Sequence, residues 1–159
     1  MVVVTGDAPS SGNKTLKLWS ERILVSLPER HPLAARAVIH WTDLRGETVL
    51  LSQHDPSREL EDLMISKLIS SVDRPRVDLH DVSRSIIKSL ISMELGISLV
   101  MESDTGASFA GLVYRELRDG TGSSRIDFSA HWRAANENPA LDGFLELLSE
   151  RYRSPTSPE

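Results

Sequence analysis

The stretch from Asp81 to Glu102 (DVSRSIIKSLISMELGISLVME) constrains the fold most, because it encodes a helix, a chain reversal and a buried strand in unbroken succession. Val82, Ile86, Leu90 and Met93, with Ile87, Ile91 and Leu95 beside them, recur at the three-and-four spacing of one helical stripe, which predicts a packed helix. Asp81 or Ser83 can accept from the free N–H groups of its first turn, and Gly96 stands where a left-handed residue would end it. Ile97 to Met101 carries almost no polar residue and predicts a strand covered on both faces, as in a parallel sheet reached through a helical crossover. A helix feeding such a strand is half of a βαβ unit. Open α/β sheets hold ligands at the carboxyl ends of their strands, so the pattern implies reception of a small molecule.

The remaining elements follow from local signals. Val2-Val3-Val4 reads as a strand core directly after Met1 whose sheet neighbours must come from elsewhere, so the chain is expected to be part of a longer one. Thr5 to Thr15 (TGDAPSSGNKT) reads as a loop. Strands are predicted at Glu21 to Leu27, at Thr48 to Ser52, at Arg76 to His80, at Val113 to Leu117 and at Ile126 to Trp132. Glu29 to Ala34 is a turn with a short helical piece, and Trp41 to Gly46 is a turn anchored by Trp41 and Leu44. Asp55-Pro56 starts a helix that runs through Leu60, Leu63, Met64 and Leu68 to about Ser71. Asn138-Pro139 caps a last helix with Leu141, Phe144, Leu145, Leu148 and Tyr152 on its apolar face. Ser103 to Ala110 is irregular, and Arg118 to Ser124 is a flexible turn. The order of strands and helices is α/β.

Composition excludes several classes of function. At 159 residues the chain can bury a real core, since a chain of this size removes roughly 70% of its unfolded surface from water. A net charge of −5, with Lys and Arg scattered, argues against direct contact with a nucleic-acid backbone. Without cysteine there is no disulfide framework and no thiolate zinc site, and a reducing, cytoplasmic setting fits. No apolar run approaches the roughly 20 residues of a membrane span, and no signal peptide is seen, so a soluble chain outside the export route is expected. His31, His40, His54, His80 and His131 never fall at metal-ligand spacing with a nearby carboxylate, so no metal and no cofactor is expected. No nucleophile elbow, Cys-His pair or phosphate-cradling loop is present, and no catalytic residue is assigned.

The succession LWSERILVSLPERHPLA, WTDLRGETVLL, ELGISLV, LVYREL and DFSAHWR followed by NPALDGFLELL resembles the effector-binding domain of LysR-type transcriptional regulators over about nine tenths of the chain. No single short motif is diagnostic; the ordered set of five carries the resemblance. It implies a periplasmic binding protein type II-like fold, two α/β lobes joined by two crossover strands with a small effector in the cleft between them. Glu21 to Leu27 and Val113 to Leu117 match the crossovers. On this reading residues 1–20 are a remnant of lobe I and a connection, 21–117 the crossovers and lobe II, 118–153 the return to lobe I, and 154–159 a tail. The winged helix-turn-helix, the linker helix and most of the first half of lobe I are not matched. Glu94 stands where the family often has Gly, and Met101-Glu102 replaces a common proline-containing continuation.

Strand ends and helix starts that would face such a cleft nominate Thr5, Gly6, Ser52, Gln53, His54, His80, Asp81 and Val82 as effector contacts. Ser52 and Gln53 would supply hydrogen bonds, and the N–H groups around Val82 to Arg84 would favour an anionic group. Ser52 and Gln53 equally suit strand-end backbone groups, Asp81 suits a helix cap worth about 1 kcal/mol, and His54 suits a solvent-facing loop. The resemblance further implies DNA binding only through the unmatched N-terminal domain, and a homodimer or homotetramer in which Leu63, Met64 and Leu68 are candidate contacts. A stand-alone solute-binding module of the same fold is the alternative; it needs an export signal. An enzyme on this scaffold needs a catalytic constellation that the sequence does not display.

Overall fold

A long strand, β2 (Asn13–Pro28), opens on polar residues and closes in the apolar run Ile23-Leu24-Val25-Ser26-Leu27, where Ile23, Val25, Ser26 and Leu27 are fully buried. The computed structural model describes residues 1–5, 12–54, 57–68, 70, 72, 74–106, 109–120 and 122–152. The chain divides into two units, Met1–Ser20 with Ile126–Glu159 and Glu21–Arg125. The loop expected at Thr5 to Thr15 is already strand at Thr5 and again from Asn13, where Lys14 and Thr15 continue the extended backbone; residues 6–11 lie outside the described residues.

In the first unit β1 (Val2–Thr5) pairs antiparallel with β9 (Arg125–Arg133), from Val2 opposite His131 to Thr5 opposite Phe128. The neighbours of Val2 to Val4 therefore come from within the chain, and β9, lying between β1 and β2, is not a bare edge. Helix α3 (Pro139–Arg151) is capped by Asn138, whose Oδ1 accepts from Ala140 N at 3.0 Å, with proline at the first helical position where its missing N–H costs nothing. Its apolar face is narrower than the spacing predicts. Leu141 is buried and Leu145 and Leu148 are half-buried, whereas Phe144 is exposed, displaced around the helix from the Leu141 line. Trp19 of β2 stacks on Phe128 with ring centroids 4.7 Å apart and meets Tyr152 at 5.3 Å.

In the second unit the end of β2 is central. It pairs antiparallel with β6 (Ser98–Met101) on one side and with β7 (Leu112–Asp119) on the other, which is why its side chains are covered. β3 (Val38–His40), too short to announce itself in the sequence, runs parallel to β7, and β8 (Gly122–Ser123) returns antiparallel on it. The turn expected at Arg118 to Ser124 is thus a hairpin, and Trp41 Nε1 donates to Ser124 Oγ at 2.8 Å, both side chains being buried. β4 (Thr48–Ser52) and β5 (Arg76–His80), both expected as strands, pair parallel with each other and are joined by α1 (Ser57–Lys67). Leu60, Met64 and Leu68, four residues apart, line the inward face of that helix. Its predicted start at Asp55-Pro56 and end at Ser71 lie outside the described residues.

Helix α2 (Arg84–Ser92) settles one open point of the sequence reading and corrects two others. Of the two caps the sequence offers, Ser83 is the one used, accepting from Ile86 N. Only Ile87 and Ile91 are buried, with Val82, Leu90 and Phe109 packed around the cluster they form with Leu50 and Leu112. Ile86 points outward, and Met93 and Leu95, also exposed, lie beyond the last helical residue where the 3.6-residue period no longer applies. The left-handed residue that stops the helix is Glu94, with φ 62°, rather than Gly96. Glu94 N donates to Ile91 O at 2.9 Å and Leu95 N to Leu90 O at 3.2 Å, the paired bonds of a Schellman ending.

Gly96 serves a different purpose. A Cβ on it would stand 2.6 Å from Thr48 O, because the backbone here crosses close against β4. That approach lets Ile97 N donate to Thr48 O at 2.9 Å and Ile97 O accept from Leu50 N at 2.8 Å. The Val49–Ile97 bridge is parallel, as expected after a helical crossover, but it is one residue long; β6 itself then pairs antiparallel with β2.

Candidate functional site

The carboxyl ends of β4 and β5 and the start of α2 come together through one hydroxyl. Ser52 is buried at the end of β4, its Oγ donating to Val82 O at 2.7 Å and accepting from His54 N at 3.3 Å. Gln53 N donates to His80 O at 2.9 Å, extending the ladder by one step, and the Gln53 side chain is exposed. The local sequence dictates this: once β4 and β5 are in register to Ser52 opposite His80, the next residues must turn away, and a short hydroxyl side chain satisfies the backbone left over.

Around that junction lie the other nominated residues of this unit. His54 Nε2 stands 3.5 Å from Asp81 Oδ1, with side chains 67% and 78% exposed, a pairing that water screens and that contributes little to stability. His80 is half-buried, and its Nε2 is covered and meets no partner among the described residues. Val82 packs on the Leu50, Ile87, Ile91 and Leu112 cluster. Thr5 belongs to the other unit, half-buried at the end of β1, and Gly6 lies outside the described residues. Met64 and Leu68, nominated for contact with a second copy, are 2% and 3% exposed and point into their own unit; Leu63 is half-buried.

Beside Ser52 a cavity of about 30 Å3 opens between β4, β6 and α2. Its deep wall is apolar, with Leu51, Leu60, Ile87 and Ile91 all buried. Its outer rim is charged. Arg84 donates to Asp104 Oδ1 at 2.8 Å and Lys88 Nζ donates to the backbone carbonyl of Asp104 at 2.6 Å, so the rim carries two cations and one carboxylate. The surplus positive charge sits beside the first turn of α2, whose N–H groups add to it. Arg84 and Lys88, one helical turn apart on the face that borders the nominated residues, were legible as a pair and were not singled out in the sequence. Ser26, also on the cavity, was visible as the one polar residue inside ILVSLP. Asp104 has no local signal and arrives through the turn after β6.

Among the described residues no three His, Cys, Asp or Glu side chains gather where they could hold a metal ion, and no helix is long and apolar enough to cross a membrane.

Residues 1–153 match the family described as LysR substrate binding domain. The HTH-type transcriptional regulator TtuA of Agrobacterium vitis is 26% identical over 140 residues, covering 85% of this chain and 46% of that protein. The Hca operon transcriptional activator HcaR of Escherichia coli (strain K12) is 24% identical over 142 residues, covering 89% of this chain and 47% of that protein. The chain thus spans about half the length of these curated relatives. In fold it is similar to the BenM effector binding domain solved with its effector benzoate, with a TM-score of 0.71 and 21% identity over 99% of this chain and 73% of that one.

Proposed function

This chain belongs to the LysR substrate binding domain family, and from that premise we propose that it reads a small organic effector on behalf of a transcriptional regulator whose DNA-binding segment lies outside these residues. Its fold is the periplasmic binding protein type II-like α/β fold of the LysR effector-binding domains. The family is one of regulators rather than enzymes. We take the two units to be its two lobes, and the cytoplasm, where such a regulator meets DNA, to be its compartment.

The observation that carries the proposal is the junction at Ser52. Two parallel strand ends and a helix start converge on it, beside a cavity with an apolar wall and a cationic rim. Such a site suits an apolar body with an anionic group, met at the rim by Arg84 and Lys88 beside the strand end that carries Ser52 and His54, while Gln53, His80, Asp81 and Val82 frame the junction without lining the cavity. The cavity is smaller than a whole organic acid, so the body of the ligand lies at the rim and only a part of it enters. Occupancy is reported by a shift between conformations that bind the ligand unequally.

Thermal-shift titration with small organic acids and their uncharged amides tests this. A ligand at about 100 times its Kd adds roughly 2.7 kcal/mol, which for a chain of this length raises Tm by about 5–10 °C. The acids are expected to give a saturable rise that their amides do not, and Lys88→Ala to weaken it. Equal shifts from acids and amides, or none from any acid, would overturn the reading. Pairing with a second copy belongs to the same proposal. Of the three residues nominated on α1, Leu63 keeps a surface to offer, and sedimentation of Leu63→Glu is expected to show a weakened dimer.

A further inference from the structure

The cavity beside Ser52 has a floor that the reading above leaves unused. Ser26, near the end of β2, is 0% exposed, and its hydroxyl meets no hydrogen-bond partner among the described residues. A buried polar group of this kind is destabilising, and a site shaped by packing alone would carry Ala or Val. The two other buried serines on the cavity are committed. Ser98, opposite Ser26 in the strand register, donates to Leu50 O at 2.7 Å, and Ser52 donates to Val82 O at 2.7 Å. Ser26 alone of the three keeps both its donor and its acceptor capacity for something else.

Size and chemistry then narrow what that something is. A volume of about 30 Å3 admits one or two non-hydrogen atoms, too few for a ring or a carboxylate with its carbon chain. The walls around it are the buried side chains of Leu51, Ile87, Ile91 and Leu99, which offer no competing polar group. The charged rim lies where the half-exposed Arg84, with Lys88, meets Asp104. A ligand that rests its anionic group at the rim can send a single substituent inward.

We propose that this recess is a selectivity pocket for one small hydrogen-bonding substituent, a hydroxyl or amino group carried on the apolar part of an anionic effector, and that Ser26 Oγ is the atom that reads it. The inference rests on the functional reading above and adds to it the class of substituent. A methyl group fills the same space as a hydroxyl, so the pocket separates the two by bonding rather than by fit: the methyl leaves Ser26 buried and unsatisfied, and the hydroxyl does not.

Benzoate, 3- and 4-hydroxybenzoate and 3- and 4-methylbenzoate serve as probes, titrated calorimetrically into the wild-type chain and into Ser26→Ala, with urea unfolding of both proteins. The wild type is expected to bind at least one hydroxy acid about 3- to 10-fold more tightly than its methyl counterpart, and Ser26→Ala to erase that ratio. The urea midpoint of Ser26→Ala is expected at or above that of the wild type, because the hydroxyl removed has no partner to lose. Binding of the acids with no hydroxyl preference, or a preference that survives in Ser26→Ala, overturns the inference and leaves the functional reading standing. So does a lowered midpoint, which would give the hydroxyl a structural partner. Failure of every acid to bind the wild type overturns both.

Discussion

Replacing Gly96 by Ala places a methyl group 2.6 Å from Thr48 O and 3.2 Å from Leu50 Cγ. The first of these obstacles is backbone and cannot rotate away. Relief requires β4 and the segment entering β6 to separate, which stretches the backbone bonds between them, Ile97 N to Thr48 O at 2.9 Å and Leu50 N to Ile97 O at 2.8 Å. Overpacking of this kind costs about 1–3 kcal/mol and the two weakened ladder bonds together about 1 kcal/mol more, so a total loss of about 2–4 kcal/mol is expected. In a chain of this length that lowers Tm by roughly 5–15 °C. Urea unfolding followed by far-ultraviolet circular dichroism measures it directly, with Gly143→Ala as the control. Gly143 lies within α3 with nothing inside 4 Å of its Cβ position, and there the same substitution is expected to stabilise by about 0.5–1 kcal/mol through helix propensity. A Gly96→Ala loss below about 1 kcal/mol, at unchanged dependence on urea, would refute the reasoning that close backbone approach, rather than helix termination, keeps glycine at this position.

Glu94→Gly is expected to raise stability by up to about 1 kcal/mol, since Glu94 holds a left-handed backbone at φ 62° that glycine adopts freely; a lowered urea midpoint would contradict this. Ser124→Ala strands the buried Trp41 N–H and should cost about 1–3 kcal/mol, read from the tryptophan fluorescence midpoint, whereas an unchanged midpoint would mean that water replaces the hydroxyl. Ser83→Ala should cost at most about 1 kcal/mol and Asp81→Ala almost nothing, and the reverse order would restore Asp81 as the cap of α2. Hydrogen bonds from Arg118 and then Ser123 hold the Glu116 carboxyl below its usual value of 4.5, and a hydrogen bond from Arg22 does the same for Glu102. Groups lowered in this way contribute stability that is present above the unfolded value and is lost as pH falls through the folded one. The urea midpoint should therefore hold from pH 7 to about 5 and decline below about 4.5, less steeply in Glu116→Gln. An equal slope in the variant would show that Glu116 takes no part.

Local patterns determined the α/β order, the strands Thr48–Ser52 and Arg76–His80 taken singly, the α2 helix and the Asn138 cap, because each depends on residues within a turn or a strand of one another. The ordered segments from Leu18 to Leu148 carried the family as well, since the spacing of elements is itself written in the chain. What the sequence left open was settled by contacts between distant residues. The partner of β6 is β2, some seventy positions away, and no local pattern states it. Apolar spacing nominated both Ile86 and Ile87, and only the position of the sheet decided that Ile87 is buried and Ile86 is not. The site divides in the same way. Of the candidates named from strand ends, Ser52 and His54 border the cavity, but the hydroxyl of Ser26, the rim of Arg84 and Lys88 and the carboxylate of Asp104 come together only because three elements fold onto one another. Secondary structure is decided by neighbours along the chain; which groups share a cavity is decided by the packing of elements, and a single sequence records the first far more directly than the second.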